Sequence, residues 1–244
     1  MHKLGHTRST NQRDHLLHTP DTFVHTVLPG MERATAVVHI SPAAGAAFTQ
    51  YTADLDPGGT LGPTSNQRFL YTLEGAADLA TDTTFHTLTA GGYAYIPEDA
   101  AHTVTAQQTT RFAIIEKPYE QLASAPAPEV LVGHEETTPS VPLNDDLDLQ
   151  VRSLLPTSSA FDFAVNTMTY QPGAALGMVE VHIMEHGLLM LEGGGIYRLG
   201  DQWYPVTAGD FIWMGPFCPQ WFGAIGKRPA KYLIYKDWNR HPLV

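Results

Sequence analysis

The chain is expected to be all-β and built as two tandem barrels, and three observations lead there. A long pattern is written twice, short strands are punctuated by turns at regular intervals, and no apolar periodicity runs for three helical turns. The first copy begins PGGTLG at Pro57–Gly62 and ends FAIIEK at Lys117; the second begins PGAALG at Pro172–Gly177 and ends YLIYK at Lys236. Leu-Glu-Gly recurs at 73–75 and 191–193, and Thr-Ala-Gly at 89–91 and 207–209. The copies are offset by 115 residues at their start and by 118 from Leu-Glu-Gly onward. A period of that length means a duplicated domain, since solenoid repeats are far shorter.

The strands are clearest in the second copy, at FAVNTMTY, GIYRL, QWYPV and FIWM, with Gly200-Asp201 marking a hairpin turn. Between the copies lies a stretch with five prolines over 118–147 and few periodic apolar positions. The expected partition is an N-terminal arm at 1–20, a barrel at 21–120, a proline-rich linker at 121–147 and a second barrel at 148–244. The arm is rich in histidine (His2, His6, His15, His18, His25), but the spacing is irregular and no carboxylate pattern accompanies it, so an exposed or packing arm is expected.

Bulk composition excludes several classes of function. With 244 residues, 43% apolar and 16% charged, the chain can bury a core. A net charge of −11 without a basic stripe argues against nucleic acid as a partner. One cysteine, Cys218, rules out an internal disulfide framework and fits a reducing compartment. The polar N-terminus has no secretory h-region and no apolar run is long enough to span a bilayer, so a cytoplasmic protein with no membrane contact is expected.

Residues 179–186 read VEVHIMEH and place Glu180, His182 and His186 within eight positions. In a strand, residues two apart share a face, so Glu180 and His182 would project together into a barrel. A tight bend would then return His186 from the neighbouring strand. An isolated Glu-x-His reads more simply as a half-exposed strand with its polar residues in water. The repeat favours the site, because a second landmark lies downstream. The stretch from Gly209 ends at Gln220, and its counterpart from Gly91 ends at His102. Both side chains can coordinate a metal. Two imidazoles, a carboxylate and an amide oxygen without thiolate suit Mn(II) or Fe(II) better than structural zinc. Cys218 reads as a packed thiol rather than a further ligand.

These spacings resemble the two motifs of the cupin superfamily, a fold of double-stranded β-helix (jelly-roll) barrels. Gly91, Pro97 and His102 fit the second motif in the first copy; Gly209, Gly215 and Gln220 keep its spacing with two substitutions. The resemblance covers about residues 20–240 as a bicupin. Alignment puts Ser65 opposite Glu180, Gln67 opposite His182, and Arg68 or Tyr71 opposite His186. His102 is then the sole ligand type left in the first barrel, which reads as structural.

The Glu180-x-His182-x3-His186…Gln220 quartet resembles the (S)-ureidoglycine aminohydrolases, bicupins with an empty first barrel. The resemblance implies Mn(II) held by Glu180, His182, His186 and Gln220, and substrate held by Glu180, Gln220, Tyr232 and Lys236, with Tyr197 a further contact. It makes Glu180, Tyr232 and Lys236 the catalytic candidates, acting on ureidoglycine in purine catabolism; exposed sheet faces and an N-terminal arm lead separately to the expectation of a homo-oligomer. The rival readings are a cupin dioxygenase using Fe(II), which Gln220 in place of histidine disfavours, and a non-enzymatic metabolite-binding bicupin.

Overall fold

The computed structural model describes residues 5–240, so His2 and both chain ends lie outside the described residues. The regular elements of the described residues are strands, apart from three single 3-10 turns at Pro20–Thr22, Pro42–Ala44 and Glu135–Thr137. It divides into two compact units, one centred on each copy of the repeat.

The first unit takes Val24–Thr138 and Ser158–Asp162. Its ten strands form one continuous sheet. The strand Gln67–Glu74 lies between Gly92–Ile96 and Thr110–Lys117, and Thr110–Lys117 in turn pairs with Thr49–Leu61. Inward-facing Leu55, Leu70, Leu79, Val104, Phe112 and Ile114 fill its core.

The second unit combines an eight-stranded and a three-stranded sheet. In the larger, His186–Glu192 lies between Phe211–Met214 and Ala230–Asp237, and Phe163–Tyr170 pairs with the far side of Ala230–Asp237. In the smaller, Gly194–Leu199 is flanked by Gln202–Thr207 and Gln220–Ala224. Both sheets contribute to one apolar core, as a barrel of packed sheets requires. The four strands expected from FAVNTMTY, GIYRL, QWYPV and FIWM are present, and Leu199 pairs with Gln202 across Gly200-Asp201 as the hairpin reading requires.

The repeated Leu-Glu-Gly has a physical cause. Phe112 pairs with Thr72 and Arg111 with Glu74, so Leu73 is an extra residue on its strand; Leu191 is the extra residue between Met190 and Glu192 in the second unit. Each bulge feeds a glycine at positive φ, Gly75 at 86° and Gly193 at 63°. A Cβ at either would lie 2.3 or 2.4 Å from a backbone carbonyl oxygen, of Thr109 or Pro229. The motif is therefore a turn signature that pins strand register in both barrels.

The expected domain boundaries shift in two places. The arm at 1–20 is not separate. His15–His18 pairs antiparallel with Phe211–Met214, and Leu17 is fully buried in the second unit's core. The linker at 121–147 is not structureless. Leu131–His134 adds an edge strand beside Gly92–Ile96 in the first unit, while Val141–Leu143 and Asp146–Ser153 belong to the second. Both differences concern short strands whose pairing is set by partners elsewhere in the sequence.

Candidate functional site

Strand alternation places the interior side chains of the second barrel. Leu188 and Met190 are core residues, so His186, two positions before Leu188, faces the same way. The same rule turns Gln220 inward with Phe222 and Ala224, and Lys236 inward with Tyr232 and Ile234. Tyr197 shares the interior face of its strand with Leu199. His186 pairs in register with Lys236, and Met190 with Tyr232, so the two basic groups sit at one end of the barrel and the phenol deeper.

Glu180 and His182 arrive differently. Eight residues separate Gly177 from His186, whereas five separate Gly62 from Arg68 at the equivalent place in the first copy. The change of offset from 115 to 118 is therefore this segment, and it carries both residues. The expected strand through Glu180 and His182 does not form. Glu180 makes a single bridge to Gln220, and 181–185 is irregular. Val179 and Val181, the alternate positions, are 38% and 55% exposed, so no sheet neighbour covers their face.

Backbone bonds hold this loop over the barrel end. Glu180 N–H donates to the Gln220 carbonyl at 2.8 Å, and Gln220 N–H returns to Glu180 at 2.9 Å. Phe217 N–H donates to the His182 carbonyl at 2.6 Å from a backbone at φ +63°, a conformation that costs a phenylalanine of order 1 kcal/mol. The side chains then meet in sequence. His182 Nε2 lies 3.2 Å from Glu180 Oε2, and the His182 and His186 rings are 5.3 Å apart. The Tyr197 hydroxyl donates to Gln220 Oε1 at 3.3 Å. Glu180 and His182 keep about 30% of their side-chain surface exposed, while His186 and Gln220 are buried.

Burial sets the electrostatics. Desolvation, then the charges of Lys236 and His182, push His186 down to about 3, so its imidazole is neutral at pH 7. Its Nδ1 is buried and makes no hydrogen bond. Burial lowers Lys236, and the Glu180 carboxylate pulls it back up. Burial drives the Tyr197 and Tyr232 hydroxyls well above the phenol range, so both remain protonated donors.

A neutral buried imidazole with an unpaired nitrogen, beside a second imidazole, a carboxylate and an amide oxygen, is a donor set that fits a hard or borderline divalent ion. The protein atoms are not drawn into a closed cage. Among the described residues, the group of three His, Cys, Asp or Glu ligand atoms lying within 4.8 Å of one another is Asp14, His15 and Cys218. There, His15 Nδ1 bonds Asp14 and Nε2 bonds the Tyr204 hydroxyl, each at 2.9 Å, so neither nitrogen is free for an ion. This cluster fastens the His15–His18 strand to the barrel, and burial raises the Cys218 thiol to about 11. Cys218 is buried and belongs to the second unit's core.

The sequence reading missed Tyr170. It lies on Phe163–Tyr170, fully buried, with its hydroxyl 2.7 Å from that of Tyr232. The available signal was alternation: Tyr170 shares the core face of its strand with Met168. In the first barrel, the predicted choice between Arg68 and Tyr71 resolves to Arg68. Five residues before the bulge in each copy, Arg68 pairs with Glu116 as His186 pairs with Lys236. Gln67 is not an interior counterpart of His182; it bonds Asp162 and Tyr95 on the other face of its strand.

Comparison with known proteins agrees with this architecture. A family model described as "Cupin domain" matches residues 166–235. A probable (S)-ureidoglycine aminohydrolase of Oryza sativa is 42% identical over 98% of this chain and 78% of its own length. The (S)-ureidoglycine aminohydrolase of Arabidopsis thaliana is also 42% identical, over 98% of this chain and 80% of its own. Among solved structures, a putative glyoxylate-induced protein from Pseudomonas aeruginosa superimposes with a TM-score of 0.88 at 32% identity, covering 97% of this chain and 93% of that one. Duplicated barrels, a single equipped interior and similarity over nearly the full length lead to one assignment: the chain belongs to the (S)-ureidoglycine aminohydrolase family of bicupin enzymes.

Proposed function

We propose that this chain hydrolyses (S)-2-ureidoglycine to (S)-ureidoglycolate and ammonia, using Mn(II) held by Glu180, His182, His186 and Gln220. The observation that carries the reading is the inward pairing of Lys236 with a neutral His186, in a barrel end closed by Glu180 and Gln220. The substrate class has a carboxylate, an amine and a ureido group on one carbon. In the reaction the bond from that carbon to the amine nitrogen breaks, a bond to a water oxygen forms, and the amine leaves with a proton as ammonia.

Each residue has a role its surroundings permit. Lys236 supplies a positive point charge for the substrate carboxylate. Tyr232, kept protonated by burial, donates a hydrogen bond beside it. Glu180, partly exposed at the barrel mouth, is placed to accept and return a proton as the amine departs and water adds. Tyr197 orients the Gln220 amide through its hydroxyl. A bound divalent ion would add Lewis acidity and a template for substrate heteroatoms. Fixing three substituents of one carbon restricts attack to one face and yields one enantiomer.

Freshly generated ureidoglycine, incubated with the protein with and without Mn(II), tests the reading. The expected result is metal-dependent ammonia release well above the spontaneous rate, with (S)-ureidoglycolate as product. Release at the background rate under both conditions contradicts it, and oxygen consumption with Fe(II) would point to the dioxygenase instead.

A further inference from the structure

We infer that Tyr170 is a positioning residue: its hydroxyl donates to Tyr232, and so fixes the Tyr232 proton toward the substrate. The inference rests on the proposed role of Tyr232 as a substrate contact.

The two hydroxyls are 2.7 Å apart and either could donate on distance alone. Counting protons, together with the proposed substrate contact of Tyr232, decides the direction in the substrate complex. Two phenols joined by one hydrogen bond have one proton between them and one left over. If Tyr232 donated, the spare proton would sit on Tyr170, which is fully buried and has no second partner among the described residues. A buried donor without an acceptor is unfavourable by about 1–3 kcal/mol. If Tyr170 donates, the spare proton sits on Tyr232, which is equally buried and has no second protein partner among the described residues, but which gains an acceptor when it contacts substrate. Register shows which of the two lies nearer the site. Tyr170 pairs with Ala230, two residues further from Lys236 than Tyr232 is, or roughly 7 Å along the strand. Donation from the deeper ring thus leaves the free proton on the ring nearer Lys236.

The rings are also held still. Tyr170 and Tyr232 lie 5.5 Å apart, and Phe222 packs edge-on against both at 4.9 and 5.7 Å. Such edge contacts fix ring orientation as well as burying area. A hydroxyl on a fixed ring can still rotate about its C–O bond. Once substrate accepts from Tyr232, the bond from Tyr170 opposes that rotation and holds the Tyr232 hydroxyl in its donating orientation.

The internal repeat supplies an independent observation. Leu55 pairs with Thr110 as Tyr170 pairs with Ala230, and Phe112 pairs with Thr72 as Tyr232 pairs with Met190. Both hydroxyls are therefore absent from the barrel that lacks the ligand quartet. Packing at these positions does not require the pair.

The test is a double-substitution cycle in the full-length, metal-loaded protein, reading KM and kcat for ureidoglycine in Tyr170→Phe, Tyr232→Phe and the combination. The expected result is a KM raised about tenfold in Tyr170→Phe, with kcat changed less than about twofold. The double variant should be no worse than Tyr232→Phe, because without the Tyr232 hydroxyl there is nothing left to orient. Tyr170→Leu, carrying the residue the first barrel packs here, should raise KM similarly and serves if Tyr170→Phe folds poorly. If Tyr232→Phe raises KM while both Tyr170 variants leave it unchanged, the inference is wrong and the substrate role of Tyr232 stands. Additive KM effects in the double variant also overturn it. If Tyr232→Phe changes neither constant, the substrate role itself is wrong and the inference falls with it.

Discussion

The two barrels share a strand register and a bulge but differ at almost every interior position near the barrel end. Where the second has His186 and Lys236, the first has Arg68 and Glu116. Where the second has Gln220, the first has His102, since each opens the strand that pairs with the post-bulge hairpin. Deeper in, Tyr170, Tyr197, Phe222 and Tyr232 correspond to Leu55, Leu79, Val104 and Phe112. One barrel is lined with hydroxyls and the other with hydrocarbon.

The first barrel does not simply lack ligands; it contains its own cation. Arg68 Nε bonds Glu116 at 2.8 Å, and its Nη1 bonds both the Gly62 carbonyl and His102 Nε2 at 2.8 Å. His102 Nδ1 donates to the Ala100 carbonyl at 2.7 Å, which leaves Nε2 as the acceptor for Arg68. The Tyr51 hydroxyl completes the network by donating to Glu116 at 2.7 Å. A guanidinium fixed by side chains and backbone satisfies the buried carboxylate and imidazole without help. The second barrel leaves its equivalents unpaired: an imidazole with an orphan nitrogen and a lysine without a carboxylate in bonding distance among the described residues. Buried unpaired atoms occur in both units, Gln50 and Thr72 in the first among them, but the unpaired His186 nitrogen lies beside a second imidazole and a carboxylate, an arrangement that a ligand can relieve.

Four experiments sharpen or break this contrast. The largest effect belongs to His186→Ala, which removes a neutral nitrogen donor from the ligand set. If the ion supplies several kcal/mol of charge stabilisation, turnover measured as ammonia release should fall at least about 10³-fold. Retained activity would mean His186 is not a ligand. Arg68→Ala, at the matching position, should instead cost about 3 kcal/mol of stability in denaturant unfolding, because the largely buried Glu116 keeps the Tyr51 hydroxyl but loses its counter-charge. Activity at temperatures below unfolding should persist, and a specific loss of turnover would give the first barrel a part in the reaction.

Lys236→Met keeps side-chain length and removes the charge. Loss of a desolvated charge–carboxylate contact is worth about 2–3 kcal/mol, or roughly 30–150-fold in KM. An unchanged KM would make Lys236 a structural lysine. The smallest effect concerns pH. Burial lowers His102 below its ordinary pKa; the Ala100 carbonyl opposes this, Arg68 reinforces it and Glu116 opposes it. The folded state therefore holds His102 neutral where the unfolded chain would protonate it. Its contribution is complete above about pH 6.5 and is lost as pH falls below that toward the folded value. His102→Gln, the residue of the second barrel, should flatten unfolding free energy against pH in that window. An unaltered slope would show that His102 is not held neutral.

How much of this was legible in the sequence follows from which interactions are local. The duplication, the Gly200-Asp201 hairpin and the equivalence of His102 with Gln220 are written in spacing, and the structure keeps all three. The strand at His15–His18 was not, because HLLH is four residues long and gains its order from Phe211–Met214, nearly two hundred positions away. The same holds for Leu131–His134, whose partner strand lies across the first unit's edge. Glu180 and His182 were found as residues but misplaced as a strand, since alternation looks the same whether or not a neighbour covers the outer face. Arg68 read as a missing ligand, though its guanidinium takes over the bonding a ligand set would otherwise demand. Alternation could have turned Tyr170 inward, but its partner was not legible, because hydroxyl pairing is decided by diagonal neighbours on different strands, here on Phe163–Tyr170 and Ala230–Asp237.

The central claim is that the second barrel, and not the first or the Asp14–His15–Cys218 cluster, holds the metal ion. Elemental analysis of the purified chain after Mn(II) loading and removal of free ion, run in parallel on His186→Ala, His102→Gln and Cys218→Ser, tests it most directly. The account predicts one Mn per parent chain, retained in His102→Gln and Cys218→Ser and lost in His186→Ala. Full occupancy in His186→Ala, or loss that follows His102 or Cys218, would contradict it.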